Sequence, residues 1–125
     1  MTTGLTFDTG MLVALERRRR RAEEFLLRAR EQRIVPVVPA DVIVEWWQGR
    51  SDRREAILAL VNVEPLSPRL ARVAGEALAA VRGATSTDAV VMASAASRGD
   101  AVLTSDPDDL ARLRAYFPSV RVLVV

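Results

Sequence analysis

Leu5-Thr6-Phe7-Asp8-Thr9-Gly10-Met11-Leu12 begins as a short apolar run, closes it on a carboxylate, and resumes apolar character at helical spacing. This is the pattern of a strand that ends in an acid and turns directly into a helix. Ala101-Val102-Leu103-Thr104-Ser105-Asp106-Pro107 repeats it near the other end of the chain. Further runs occupy 34–38, 61–64 and 120–125. They are Val-, Ile- and Leu-rich and nearly continuous, as strands covered on both faces are. Pro36 has no N–H for a ladder, so the second strand is expected to be short. Helical patterns fill 9–19, 20–32, 40–49, 52–60, 68–82, 87–98 and 107–116. The clearest is the stripe Leu70, Val73, Ala74, Ala77, Leu78 and Val81. Strands alternating with helices predict an α/β fold, with helices on both faces of a mostly parallel sheet of about five strands. Ligands of such sheets bind beyond the carboxyl ends of the strands, where Asp8 and Asp106 both fall.

Composition narrows the chemistry. With 125 residues, half of them apolar, residues 1–125 make one domain able to bury its own core. There is no Cys, which excludes disulfides and thiol chemistry and fits a reducing, cytoplasmic setting. No apolar stretch approaches the ~20 residues that span a bilayer. The N-terminus shows no basic segment followed by an apolar one, so no leader and no membrane association are expected. All 18 basic residues are Arg, yet the net charge is only +2. Arginine suits bidentate phosphate contacts; a genome whose codons favour Arg explains the bias more simply. Without Lys there is no Schiff base and no phosphate-loop lysine. Without His there is no imidazole base or ligand. Carboxylates on a hard divalent cation remain.

Four acids occupy positions that such a centre needs: Asp8, Glu45, Asp88 and Asp106. Each also has a plainer reading. Asp8 can cap the helix after it. Asp88 lies in a first helical turn, behind Ser86 or Thr87 as cap. Asp106-Pro107-Asp108-Asp109 reads as cap, N1 proline and an acid at N3. Glu45 is harder to explain, because it stands four residues after Asp41 on one helix, where like charges repel. A solvated stripe with Gln48 is its alternative. Arg17–Arg21 could hold a polyanion, but Arg19 and Arg20 sit four before Glu23 and Glu24, the spacing of ordinary helix ion pairs. Of the neighbours Trp46 and Trp47, about 100° apart on a helix, one belongs in the core.

Taken in order, Asp8-Thr9-Gly10-Met11-Leu12, then Pro39, Val42 and Glu45, then Thr87-Asp88-Ala89 with Ala93, Ala96 and Gly99, then Val102 to Leu110, resemble the motifs of PIN domains. In length the chain resembles the VapC-type toxins of toxin–antitoxin pairs. The resemblance implies a three-layer α/β/α PIN-like fold and endoribonuclease activity by water activated on Mg²⁺ or Mn²⁺. It assigns the metal to Asp8, Glu45, Asp88 and Asp106; Asp8 and Asp106 are expected as direct ligands, and Asp88 and Glu45 as closing the site or standing in its outer shell. Thr9, Thr104 and Ser105 match supporting hydroxyl positions, and Asp109 a further acidic one. It also implies an RNA substrate, a cognate antitoxin, for which the apolar surface of helices 40–60 is the expected contact, and a homodimer. Its alternatives are a housekeeping PIN nuclease and a non-catalytic binding module. Phospho-acceptor domains need a late Lys, and haloacid-dehalogenase-type enzymes need an acid where Gly10 stands; neither fits.

Overall fold

The computed structural model describes residues 3–125; Met1 and Thr2 of the expected domain and N-terminus lie outside the described residues. In chain order the elements are β1 (Leu5–Phe7), α1 (Thr9–Glu16), α2 (Arg20–Glu31), β2 (Val37–Pro39), α3 (Ala40–Trp46), α4 (Asp52–Leu58), β3 (Asn62–Glu64), α5 (Pro68–Ala80), α6 (Ser86–Arg98), β4 (Ala101–Thr104), α7 (Pro107–Tyr116) and β5 (Val122–Val124). The five strands form one sheet in the order β3-β2-β1-β4-β5. Every pairing is parallel. α6 lies against β1, β2 and β4 and packs with α5 and α7, while α1 gathers α2, α3 and α4. This is a three-layer α/β/α arrangement around Phe7, Met11, Leu12, Leu15, Val91, Met92, Leu103, Leu110 and Leu113, all fully buried.

Local chemistry sets most of the boundaries. β2 begins only after Pro36, and Ile34 and Val35 fall outside it. Seryl or threonyl caps start three helices: Ser51 accepts from Arg54 N–H, Ser67 from Leu70 N–H and Thr85 from Asp88 N–H, each at 3.1 Å. The cap of α6 is therefore Thr85, not Ser86 or Thr87. α6 ends on Gly99 at φ 72°, a left-handed stop that glycine adopts freely.

Burial on both faces holds for β4 but not for β3, where Asn62 and Val63 are exposed. β3 is an edge strand, so only one of its sides is paired. Trp46 is the core tryptophan and Trp47 is half-buried. The indole N–H of Trp46 donates to Glu16 Oε1 at 2.9 Å, which ties α3 to the end of α1. Among the described residues no helix is long and apolar enough to cross a membrane.

Candidate active site

Strand order reverses between β1 and β4: β2 and β3 continue outward on one side, β5 on the other. The carboxyl ends of this central pair open the crevice where ligands of such sheets bind. Asp8 leaves β1 there, and Ser105 and Asp106 leave β4. Asp8 is the N-cap of α1, its Oδ1 accepting from Met11 N–H at 2.9 Å. It is nonetheless only 7% exposed. Its carboxyl is pushed up from 3.8 to about 6, chiefly by burial and further by the charges of Asp88 and Asp106, against the Thr104 hydroxyl and Met11 N–H, which favour the anion.

Asp88 and Asp106 act on it directly, and Glu45 and Asp109 act on Asp88. Asp88, in the first turn of α6, is half-buried, and its carboxyl is raised by burial and by Asp109, Glu45 and Asp106. Asp106 takes the N-cap position of α7, but its side chain makes no capping hydrogen bond, so the capping explanation for this carboxylate does not hold. Asp109 is exposed and raised by desolvation and by Asp106 and Asp108. Glu45 is exposed but held: Thr9 Oγ1 donates to its Oε1 at 2.6 Å. It is not part of a stripe with Gln48, whose amide turns back to the Glu45 carbonyl at 3.1 Å. Thr104 is buried and accepts from Asp106 N–H at 3.0 Å, fixing the turn between the two acids.

Gly10, on its face a small variation in the pattern, is required by this geometry. A Cβ there would lie 2.5 Å from Ser105 Oγ and 3.1 Å from Ser105 N. The start of α1 touches the turn after β4 because that side chain is missing. A glycine at the second position of a helix, where it costs stability, is the sequence signal for this.

None of these acids has a basic partner among the described residues. The ion pairs of the chain go to Glu16, Glu23, Glu24, Asp52, Glu55, Glu64 and Asp100 instead. The donor set is all carboxylate and hydroxyl, the chemistry a hard divalent cation takes. Among the described residues no three acids are drawn together tightly enough to hold an ion as they stand. The donors fit a cation that closes them, and the repulsion among them is the cost it would remove. The arginine run takes the ion-pair reading in part: Arg20 pairs with Glu24 at 3.0 Å, while Glu23 pairs with Arg53 rather than Arg19. Arg21 donates to the Val124 carbonyl at 2.7 Å.

The PIN domain family model matches residues 5–116. The chain belongs to the PIN-domain family. The fold of this PIN domain is shared with VapBC2 from Rickettsia felis bound to a promoter DNA fragment: TM-score 0.77, 11% identity, 97% of this chain and 98% of that one. It is similar to DNA-bound VapBC from Salmonella typhimurium: TM-score 0.72, 16% identity, 98% of both chains. A toxin–antitoxin complex from Klebsiella pneumoniae has TM-score 0.70 at 19% identity, with 97% of both chains covered. No curated protein sequence matches it.

Proposed function

We propose that this PIN domain is a Mg²⁺- or Mn²⁺-dependent endoribonuclease, the toxin of a toxin–antitoxin pair. The observation that carries the reading is a buried and an exposed set of carboxylates, all without an arginine, at the switch point of the sheet. Eighteen arginines were at hand to neutralise them. Asp8 and Asp106 are assigned to the metal, with Asp88 and Glu45 closing the site from α6 and α3. When bound, the cation neutralises charge on the scissile phosphate and lowers the pKa of water. Thr9 fixes Glu45 through Oε1, which leaves Oε2 to accept a proton from the attacking water. Thr104 orients the Asp106 turn and its hydroxyl favours the Asp8 anion, and Ser105 packs against Gly10. Asp109 adds negative charge at the mouth.

The neighbours' assembly with antitoxins supports a protein partner for this chain. Leu26, Leu27 and Leu60, edged by Glu23, Arg30 and Arg53, line a groove between α2 and α4 over the buried Leu15 and Ile57, and its mixed lining suits an amphipathic helix of that partner. The apolar surface of helices 40–60, where Val44 is exposed, stays part of the proposed contact. A homodimer and a cytoplasmic location complete the proposal.

Purified protein is expected to cut RNA only with Mg²⁺ or Mn²⁺. Asp8→Asn should lower cutting about 100-fold or more, as loss of a preorganised charge does, with the fold intact by circular dichroism. Undiminished cutting by this variant, or by wild type in excess EDTA, sinks the reading. Growth arrest on expression, relieved by a small reading frame directly upstream, separates the toxin from a housekeeping nuclease.

A further inference from the structure

α6 carries Asp88 in its first turn and Arg98 as its last residue. The Arg98 guanidinium is bonded on every side. Nη2 donates to Thr6 Oγ1 and to Ser94 Oγ, both at 2.8 Å. Nε donates to Asp100 Oδ2 at 3.0 Å and Nη1 to Glu64 Oε2 at 2.6 Å. The acceptors close on one another: Thr6 Oγ1 donates to Asp100 Oδ2 at 2.9 Å, and Ser94 Oγ to Glu64 Oε1 at 2.6 Å. Thr6, Ser94 and Asp100 are buried. A Cβ on Gly4 would collide with the Asp100 carboxylate, so the chain just before β1 is also fitted to this network.

The elements tied together are those that bear the site. Thr6 is two residues before Asp8 on β1, about 7 Å along a strand. Ser94 is six residues after Asp88 on α6, about 9 Å along a helix. Asp100 directly precedes β4, which leads to Thr104 and Asp106. α6 buries Val90, Val91 and Met92 beside Ala89, Ala93 and Ala95. These apolar contacts hold it against the sheet but are non-directional. A polar network with fixed donor geometry accepts only one position, the role best attested for buried ionic groups.

We infer that Arg98 is a positioning residue, whose bonds to Thr6, Ser94, Glu64 and Asp100 set the register of α6 on β1 and so the separation of Asp88 from Asp8. The inference rests on the metal-site reading above. Its test is Mn²⁺ binding by calorimetric titration, with no substrate present, on wild type, Arg98→Met and Thr6→Val. Thr6→Val keeps the shape of the β1 residue and removes only its hydroxyl. Both folded variants should bind Mn²⁺ about 10-fold more weakly, the usual cost of losing a group that supports metal ligands. Cleavage at saturating Mn²⁺ should stay near wild type, and the double variant should bind no worse than Arg98→Met alone, since both act through one network. A lowered melting temperature with unchanged Mn²⁺ affinity marks the network as merely structural and overturns the inference. If Arg98→Met does not fold, Thr6→Val decides. Wild type that binds no Mn²⁺ overturns the metal reading and this inference with it. Wild type that binds, with folded variants that bind equally well, overturns this inference alone.

Discussion

Asp8 and Asp100 are buried to the same degree, each 7% exposed, at opposite ends of the β1–β4 pair. Their surroundings are opposite. Asp100 receives the Arg98 guanidinium and the Thr6 hydroxyl. Asp8 receives one backbone N–H, has the Thr104 hydroxyl near enough to favour its anion, and faces two more acids. Burial of a carboxylate is tolerated at both ends, but only one end is neutralised by the protein itself. The difference teaches that the acidic end carries buried charge that no basic side chain among the described residues neutralises, and the proposed cation would supply the balance.

Substitution at these two sites should therefore have opposite signs. Asp100→Ala leaves Arg98 and Thr6 without their shared acceptor. Breaking a buried ion pair costs several kcal/mol; with the Arg98 side chain 27% exposed, about 2 kcal/mol is expected. Asp8→Asn in EDTA at pH 7.5 removes an unpaired buried charge and keeps a good capping residue. It should raise stability, by at most about 3 kcal/mol, the free energy equivalent to a pKa raised from 3.8 to about 6. Urea unfolding of the two variants beside wild type measures both. Destabilisation by both would erase the contrast.

The same difference predicts a pH dependence. Because burial raises the Asp8 pKa, the folded state holds this proton more tightly than the unfolded chain. The stability this contributes is full below pH 3.8 and is lost as pH rises through about 6. Between pH 5 and 7.5 the metal-free protein should lose about 1.4 kcal/mol more than Asp8→Asn does over the same range. Millimolar Mn²⁺ at pH 7.5 should restore it, since a ligand of the native state alone adds stability. Parallel pH profiles for wild type and variant would show that Asp8 titrates normally.

How far the sequence reached differs between these two ends. Asp8, Asp88 and Asp106 stood out because strand ends and first helical turns are visible as changes of hydrophobic period, Glu45 because it repels Asp41 one turn earlier, and the resemblance to PIN domains joined the four. The parallel sheet followed from the same alternation. Other features are not local. The cap Thr85 hides among Thr85-Ser86-Thr87, where each residue has a hydroxyl. That Asp106 does not use its carboxylate as a cap goes with its backbone, at φ −133° and ψ 82°, which departs from the extended conformation of the caps Asp8, Ser51, Ser67 and Thr85 and which Pro107 at N1 does not reveal. The Arg98 network joins residues as far apart as Thr6 and Asp100. In sequence, Arg98-Gly99-Asp100 is only a helix end with a charge on either side of its glycine.

Two glycines sharpen the comparison at its finest scale. Gly75 lies exposed in α5, where a Cβ would meet nothing within 4 Å. Gly75→Ala should only improve helix propensity, stabilising by up to about 1 kcal/mol and leaving Mn²⁺ affinity and cleavage unchanged. Gly10 is helical too, and propensity alone predicts the same gain. There the new methyl meets Ser105 Oγ at 2.5 Å and the Ser105 backbone nitrogen at 3.1 Å. The hydroxyl can rotate away, but the backbone must shift, and the turn that carries Asp106 shifts with it. Gly10→Ala should therefore gain little or no stability and weaken Mn²⁺ binding, while Gly75→Ala gains stability and leaves the affinity as it was. Equal affinity in the two variants would mean that the acidic end adjusts freely, and that its carboxylates are not held in place by the contact between α1 and the turn after β4.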